Sequence, residues 1–204
     1  LDEHYLSHFD YLDVDSVIQE QKAFGACQDV TLEYPVAENE GEEDNTYLSY
    51  NMVVGNAADS QMAMAFEVLD YALLSAPGAP LKQALLDVKA GKDVYGSYDD
   101  GILQPYFTVI AKGSNPDRKE EFVSVIRQVL GDIVKNGIDR KAVEAGINYF
   151  EFRYREADFS SYPKGLMYSL DILGDWLYEK GNPFAQVQQL TVFEKLKKAV
   201  NEGY

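Results

Sequence analysis

Apolar and polar residues alternate in two early stretches of the chain. Residues 30–36 read VTLEYPV and residues 48–54 read LSYNMVV. A period of two is typical of strands with one buried face. The acidic, turn-rich stretch AENEGEEDNT separates them, so we predict a β-hairpin with a long solvated tip. A second hairpin is predicted from residues 94–98 and 106–111, around the turn Asp99-Asp100-Gly101.

Apolar residues recur at helical spacing in the rest of the chain. This spacing predicts six helices with apolar stripes, over about 60–75, 81–89, 116–136, 139–156, 163–180 and 191–201. Residues that start or stop helices flank each one. The predicted starts are Asp59 or Ser60, Asn115-Pro116-Asp117, Asp139, Pro163 and the capping box Thr191-x-x-Glu194, and the predicted stops are Gly91, Asn136-Gly137 and Gly181.

The order of elements is therefore β-β-α-α-β-β-α-α-α-α. Strands that come in neighbouring pairs favour an α+β fold, with an antiparallel β-sheet and helices packed on one face. Residues 1–29 show no clean period and are interpreted as a lead-in or linker, followed by a single domain over 30–204. Because the chain starts at Leu1 rather than Met, we expect a processed chain or a piece of a larger one.

The composition of the chain limits the kinds of partner that it can bind. Among the 204 residues, 18 are Lys or Arg and 34 are Asp or Glu, a net charge of −16. Such a chain is expected to repel nucleic acids and anionic membranes. The charge is interpreted as a well-solvated acidic surface, and basic peptides are the partners that it would favour. Cys27 is the single cysteine, which fits a reducing compartment. We favour a bacterial cytoplasm, and an organelle matrix is also compatible.

Few residues suggest catalytic chemistry. His4 and His8 have zinc-ligand spacing, but Ser7 stands where the inverted motif HxxEH needs a glutamate. Cys27 has no base nearby in sequence and is interpreted as a buried, unreactive thiol. Glu151 and Arg155 are expected to form a helical salt bridge. Asp99-Asp100 is interpreted as a turn, and the 15 tyrosines are compatible with a peptide-contacting surface or with ordinary half-buried strands.

Three blocks in the second half of the chain carry a resemblance. They are similar, in order and spacing, to motifs of the presequence-protease branch of the pitrilysin/insulinase-type zinc peptidases. Ala79 stands where the family pattern has Ser. The blocks are Ala79-Pro80-Leu81-Lys82-Gln83-Ala84-Leu85 with Gly91, then Gly137-Ile138-Asp139 with Asn148-x-x-Glu151-Phe152-x-x-Arg155-Glu156, and then Pro163-Lys164-Gly165-Leu166 with Trp176 and Asn182-Pro183-Phe184.

The resemblance implies that this chain is the second, non-catalytic domain of a longer zinc metalloendopeptidase. It implies the LuxS-like metallohydrolase fold, which agrees with the predicted sheet and helices. No HxxEH occurs in the chain, so no catalytic, metal-binding or cofactor-binding residue is predicted here, and zinc is expected in a neighbouring catalytic domain. The implied partners are that domain and unstructured peptides held in a closed chamber. An inactive scaffold or peptide-binding domain without proteolysis remains the alternative.

Overall fold

The structure, a computed structural model, describes residues 1–38, 41–57, 59–157, 159–178, 182–184 and 186–203. These residues form one antiparallel sheet of three strands: β1 (Thr46–Val53), β2 (Asp93–Asp99) and β3 (Tyr106–Ser114). The strand order is β1-β3-β2, so β3 is central. The hairpin predicted around Asp99-Asp100-Gly101 is confirmed, because β2 and β3 are antiparallel neighbours.

The first predicted hairpin is wrong. Residues 30–36 are not part of the sheet, and β1 pairs with β3 instead. Alternation favours a strand only where a neighbouring strand and a packed face receive it. Within the described residues, 30–36 has neither, and Leu32 is 85% exposed. Tyr34 contacts the start of β1, where its ring meets the Tyr47 ring with centroids 5.8 Å apart and its hydroxyl donates to the carbonyl of Asn45.

The described residues also form six α-helices. None of them is both long and apolar enough to cross a membrane. A π-helical turn, Tyr71–Ser75, continues the first helix. The helices are α1 (Ser60–Asp70), α2 (Pro80–Asp87), α3 (Lys119–Asn136), α4 (Arg140–Glu156), α5 (Lys164–Leu177) and α6 (Gln189–Asn201).

Several predicted helix ends are confirmed. The carboxylate of Asp59 accepts the backbone N–H of Met62, and Asp139 accepts that of Lys141, so both cap their helices. Gly137 ends α3 with φ 84°, a conformation that favours glycine. These ends depend on residues within one helical turn, which is why the sequence alone reveals them.

Other predicted ends are wrong. Asn115 does not cap a helix with its side chain; it bonds to Asp44 instead, and a short 3₁₀ turn precedes α3. The helix α6 begins two residues before Thr191, whose hydroxyl donates to the Gln188 carbonyl. Gly91 lies beyond the end of α2, and the left-handed residue there is Lys89, with φ 55°. The predicted stop at Gly181 lies outside the described residues.

The Asp44 contacts also correct the expected solvated tip. Asp44 forms an ion pair with Lys92 at 3.3 Å in addition to its bonds with Asn115. These bonds and Lys92 lower the pKa of the Asp44 carboxyl, with the Asn115 bond as the larger cause. The acidic loop is thus tied to the body of the domain at its C-terminal end, while Glu40 lies outside the described residues.

The main core lies between one face of the sheet and the helices. Alternate strand residues such as Val94, Phe107 and Val109 point into it and are at most 3% exposed. Leu81 and Leu85 from α2 and Phe122 and Ile126 from α3 meet them; all four are at most 1% exposed. The α+β fold with helices on one face of an antiparallel sheet is therefore confirmed.

A second core lies on the far side of α1. Val68 and Ala72 pack there against α4 and α6. The predicted stripe of α4 contributes Val143 and Ile147, and α6 contributes Phe193 and Leu196. The helix α1 and the turn that follows it therefore lie between the sheet on one side and the pair α4–α6 on the other.

The helix α5 is present, but its apolar stripe is not buried. Leu166, Leu170, Leu173 and Trp176 are between 49% and 65% exposed. Helical periodicity shows which face is apolar, and only the tertiary structure shows whether anything covers that face. Within the described residues, nothing buries this stripe.

Candidate functional site

A cleft of about 440 Å³ lies between α1, α4, α5 and the turn after β2. Its walls combine aromatic rings with a few charged groups, the usual make-up of a binding pocket. The charged residues in its lining are Glu67, Asp100, Arg153 and Asp171, and the aromatic ones are Phe150, Tyr154, Phe159, Tyr168 and Phe193.

Helical spacing places these groups in the cleft. On α1, Ala63, Met64 and Glu67 share one face, at intervals of one and three residues. On α4, Phe150 and Arg153 follow the same spacing. The turn after β2 contributes Asp100 from the opposite side. The side chains therefore converge from elements that are distant in sequence.

Burial dominates the electrostatics of the cleft. The pKa of Glu67 is raised from 4.5 to about 7, first by burial and then by the negative charges of Asp100 and Asp70; Arg153 opposes the shift. Burial also raises the pKa of Asp70 and of Asp100. The pKa of Tyr98 is raised as well, by burial and then by Asp100.

The chemistry available to this cleft is limited. A carboxyl group that titrates near neutral pH can accept or donate a proton. However, among the described residues the lining contains no Ser, Cys or His to serve as its partner. Within the part of the chain that the structure describes, no group of three or more His, Cys, Asp or Glu side chains could hold a metal ion. The cleft resembles a binding surface more than a catalytic centre.

The histidine pair with zinc-ligand spacing is the other candidate metal position. His4 and His8 lie in an exposed segment around the 3₁₀ turn Leu6–His8. Zinc sites need three or four ligands converging on one point. Neither histidine lines the cleft. The prediction that this chain supplies no catalytic, metal or cofactor residue remains a prediction.

The structure places the other predicted residues as follows. The Glu151–Arg155 salt bridge is confirmed at 2.7 Å, and Lys197 joins it from α6. These two partners lower the pKa of Glu151, with the Lys197 bond as the larger cause. Cys27 is exposed, so the prediction of a buried thiol is wrong.

The two aspartates of the β2–β3 turn have different roles. Asp99 stabilises the turn: it accepts the backbone N–H of Gly101 at 3.0 Å and the hydroxyl of Tyr106 at 3.1 Å. Asp100 lines the cleft, which the sequence interpretation missed. Glu67 was missed too, although an acid between Phe66 and Val68 in the middle of an apolar helix is a usable signal.

The sheet offers a second candidate surface, on the side away from the helices. We name it the open sheet face. Eight of its twelve residues are exposed, and Lys112 lies over the ring of Tyr47 at 5.7 Å. The hydroxyl of Thr108 donates to the side-chain oxygen of Asn51. Its rows across the three strands are Tyr47-Lys112-Asp93, Ser49-Ile110-Tyr95, Asn51-Thr108-Ser97 and Val53-Tyr106-Asp99.

Comparison with protein families decides what kind of domain this is. The model of the peptidase M16 inactive domain matches residues 3–150, which is most of the chain. The chain belongs to this family. It is thus an inactive domain of a zinc-peptidase family, as the motif resemblance implied.

Two relatives match along nearly the whole inactive domain. Protein HypA of Clostridium perfringens is 41% identical over all of this chain, which corresponds to 21% of that protein. The chloroplast and mitochondrial presequence protease 1 of Arabidopsis thaliana is 29% identical over 92% of this chain, corresponding to 17% of its own length. The inactive domain therefore spans about a fifth of these relatives, which are bacterial and organellar.

A solved structure shows the same fold. The inactive peptidase domain of a Bordetella parapertussis protein described as a zinc protease aligns with this chain, with a TM-score of 0.54 and 12% sequence identity. The alignment covers 75% of this chain and 82% of that one. At this identity, the comparison supports the fold and not a shared substrate.

Proposed function

We propose that this inactive domain is one part of a presequence-protease-like zinc metalloendopeptidase that degrades unstructured peptides in a closed chamber. In that protein it supplies chamber wall and supports the catalytic domain, and the zinc site belongs to the catalytic domain. The observation that carries the proposal is the inactive-domain match over residues 3–150, in a chain that spans about a fifth of its relatives.

The open sheet face supports a role in holding peptides. Tyr47, Tyr95 and Tyr106 present rings with polar tips, and Ser, Thr and Asn side chains lie between them. Tyrosine gives a large contact area at low conformational cost and also hydrogen-bonds to peptide backbone. We propose that this surface contacts the peptide. It tolerates many sequences, because most of its groups carry no charge.

Charge supports the proposed partners. A net charge of −16 disfavours nucleic acids and anionic membranes and favours cationic peptides. The proposed partners are therefore the catalytic domain of the same polypeptide and an unstructured peptide. A bacterial cytoplasm remains the favoured location, with an organelle matrix as the other one. The division of the chain between residues 29 and 30 also stays a prediction.

The first test compares the isolated 204-residue domain with the full-length protein. The purified 204-residue chain, with folding verified by a cooperative urea transition, is expected to bind less than 0.1 equivalents of zinc and to cleave no fluorogenic peptide. The full-length protein is expected to bind about one zinc and to cleave that peptide. Metal analysis and a peptide assay on both samples check this. A full-length protein without zinc or activity favours the alternative, an inactive scaffold or peptide holder.

A second test addresses the open sheet face in the full-length protein. Tyr95→Ser removes a ring that is 37% exposed on this face. We expect KM for an unstructured peptide to rise about five-fold, from lost contact area worth about 1 kcal/mol, while kcat stays within two-fold. Tyr162→Ser is the control: its ring is 62% exposed but lies outside the sheet. Equal KM values for both variants contradict the assignment of this face.

A further inference from the structure

The first 36 residues, here named the N-terminal arm, are apolar but uncovered. Seventeen of these 36 residues are apolar, a fraction of about 47%, which is close to the 46% of the whole chain. Every residue of the arm is exposed. Fourteen of them are large apolar side chains: Leu1, Tyr5, Leu6, Phe9, Tyr11, Leu12, Val14, Val17, Ile18, Phe24, Val30, Leu32, Tyr34 and Val36.

Polar contacts attach the arm to the body of the domain. Gln21 and Gln104 exchange two hydrogen bonds, of 2.6 and 3.1 Å. Asn56 donates to Glu20 at 3.3 Å, and Asp29 pairs with Lys119. These contacts hold the arm against the loop before β3, the loop after β1 and the start of α3. They leave its apolar side chains facing outward.

The composition of the arm is not that of a linker. Flexible linkers and disordered segments contain few aromatic and branched apolar residues, since they have nothing to bury. The arm contains many, and the family match begins at residue 3, so the arm belongs to what the family shares. An exposed segment that carries fourteen large apolar side chains is typical of an interaction site.

The negative charge of the arm limits the kinds of surface that it can bind. It contains eight acidic residues and one lysine, so 1 − 8 gives a net charge of −7 with neutral histidines. A second copy of the chain, with a net charge of −16, repels it, and an anionic lipid surface does the same. A complementary surface must be both apolar and basic.

We infer that the N-terminal arm docks on an apolar, basic surface of the same polypeptide outside these 204 residues. This inference rests on the proposed function, in which the chain is one domain of a longer peptidase. The relatives are about five times longer than this chain, so most of the polypeptide is available as a partner. Because that surface is covalently linked, its effective concentration is high, which favours docking.

The test uses hydrogen–deuterium exchange in the full-length protein. Amides of residues 1–36 are expected to exchange at least 100-fold more slowly than in a synthetic peptide of the same sequence. The double variant Leu12→Ser/Ile18→Ser is expected to restore fast exchange in the arm while β3 stays protected. The matched control is Val134→Ser, an 86% exposed apolar residue on α3, which is expected to leave the arm protected.

The outcomes distinguish the possible partners. Arm exchange at the rate of the free peptide overturns the inference. Protection that depends on protein concentration, or that requires phosphatidylserine vesicles, also overturns it in favour of a second copy or a membrane. Zinc content and peptidase activity are measured on the same sample. They test the proposed function independently of the docking inference. If the arm is protected in a full-length protein that shows no peptidase activity, the docking inference stands and the proposed peptidase function is rejected.

Discussion

Replacing Gly96 by alanine is expected to lower the free energy of unfolding by about 2–3 kcal/mol, the upper part of the typical cost of overpacking a well-packed core. A Cβ atom at Gly96 would lie 2.0 Å from Oδ1 of Asp70 and 2.4 Å from Cδ1 of Leu74. Both atoms are ends of side chains, but Leu74 is 1% exposed and belongs to the main core, so moving its side chain disturbs that packing. The substitution therefore requires these two side chains to shift, or α1 and the turn after it to move away from β2. Urea unfolding of the domain measures the loss.

Gly131 provides the matched control for Gly96. It lies in the interior of α3, and no atom lies within 4 Å of the position its Cβ would take. Gly131→Ala is therefore expected to stabilise the domain by about 0.5–1 kcal/mol through helix propensity alone. If Gly96→Ala is as harmless as Gly131→Ala, the close contact of α1 with β2 is wrong.

The substitution Glu67→Gln is expected to stabilise the domain by about 2 kcal/mol at pH 8. The pKa of Glu67 is about 7 in the folded domain, compared with an ordinary value of 4.5. Above pH 7 the folded domain must hold a charge that burial and two neighbouring aspartates disfavour. The full shift corresponds to about 3.4 kcal/mol, and partial exposure of the side chain reduces it. Glutamine keeps the size and removes the charge.

The pH dependence follows from the same shift. Between pH 4.5 and 7 the folded domain binds more protons at Glu67 than the unfolded chain does, so its contribution to stability decreases as the pH rises. Glu67→Gln is expected to flatten the stability curve between pH 5 and 8. The control Glu194→Gln changes an exposed acid on α6 and is expected to have an effect below about 0.5 kcal/mol. Parallel curves for wild type and Glu67→Gln contradict the burial of this carboxyl group.

Local signals predicted much of the fold. The caps at Asp59 and Asp139 and the stop at Gly137 involve atoms within one helical turn. The β2–β3 hairpin also closes locally, around the Asp99 turn. The family resemblance, drawn from short motifs, is confirmed by the inactive-domain match.

Two of the errors arose where a residue serves a distant partner. Gly91 resembles a helix stop, but a Cβ atom there would lie 2.7 Å from the carbonyl oxygen of Lys112, so glycine is needed for the approach to β3. Asn115 resembles a cap, but it binds Asp44, 71 residues earlier in the chain. Neither partner can be identified from the neighbouring sequence.

The candidate site shows the same division. The sequence alone determined the helices and their apolar faces, the acidic charge and the family, because these depend on spacing, composition and short motifs. Only the tertiary structure decided that Glu67, Asp100 and Arg153 share one cleft, and that the N-terminal arm and the stripe of α5 are uncovered. Burial is a property of neighbours brought together from far along the chain, and periodicity shows which face is apolar but not what lies against it.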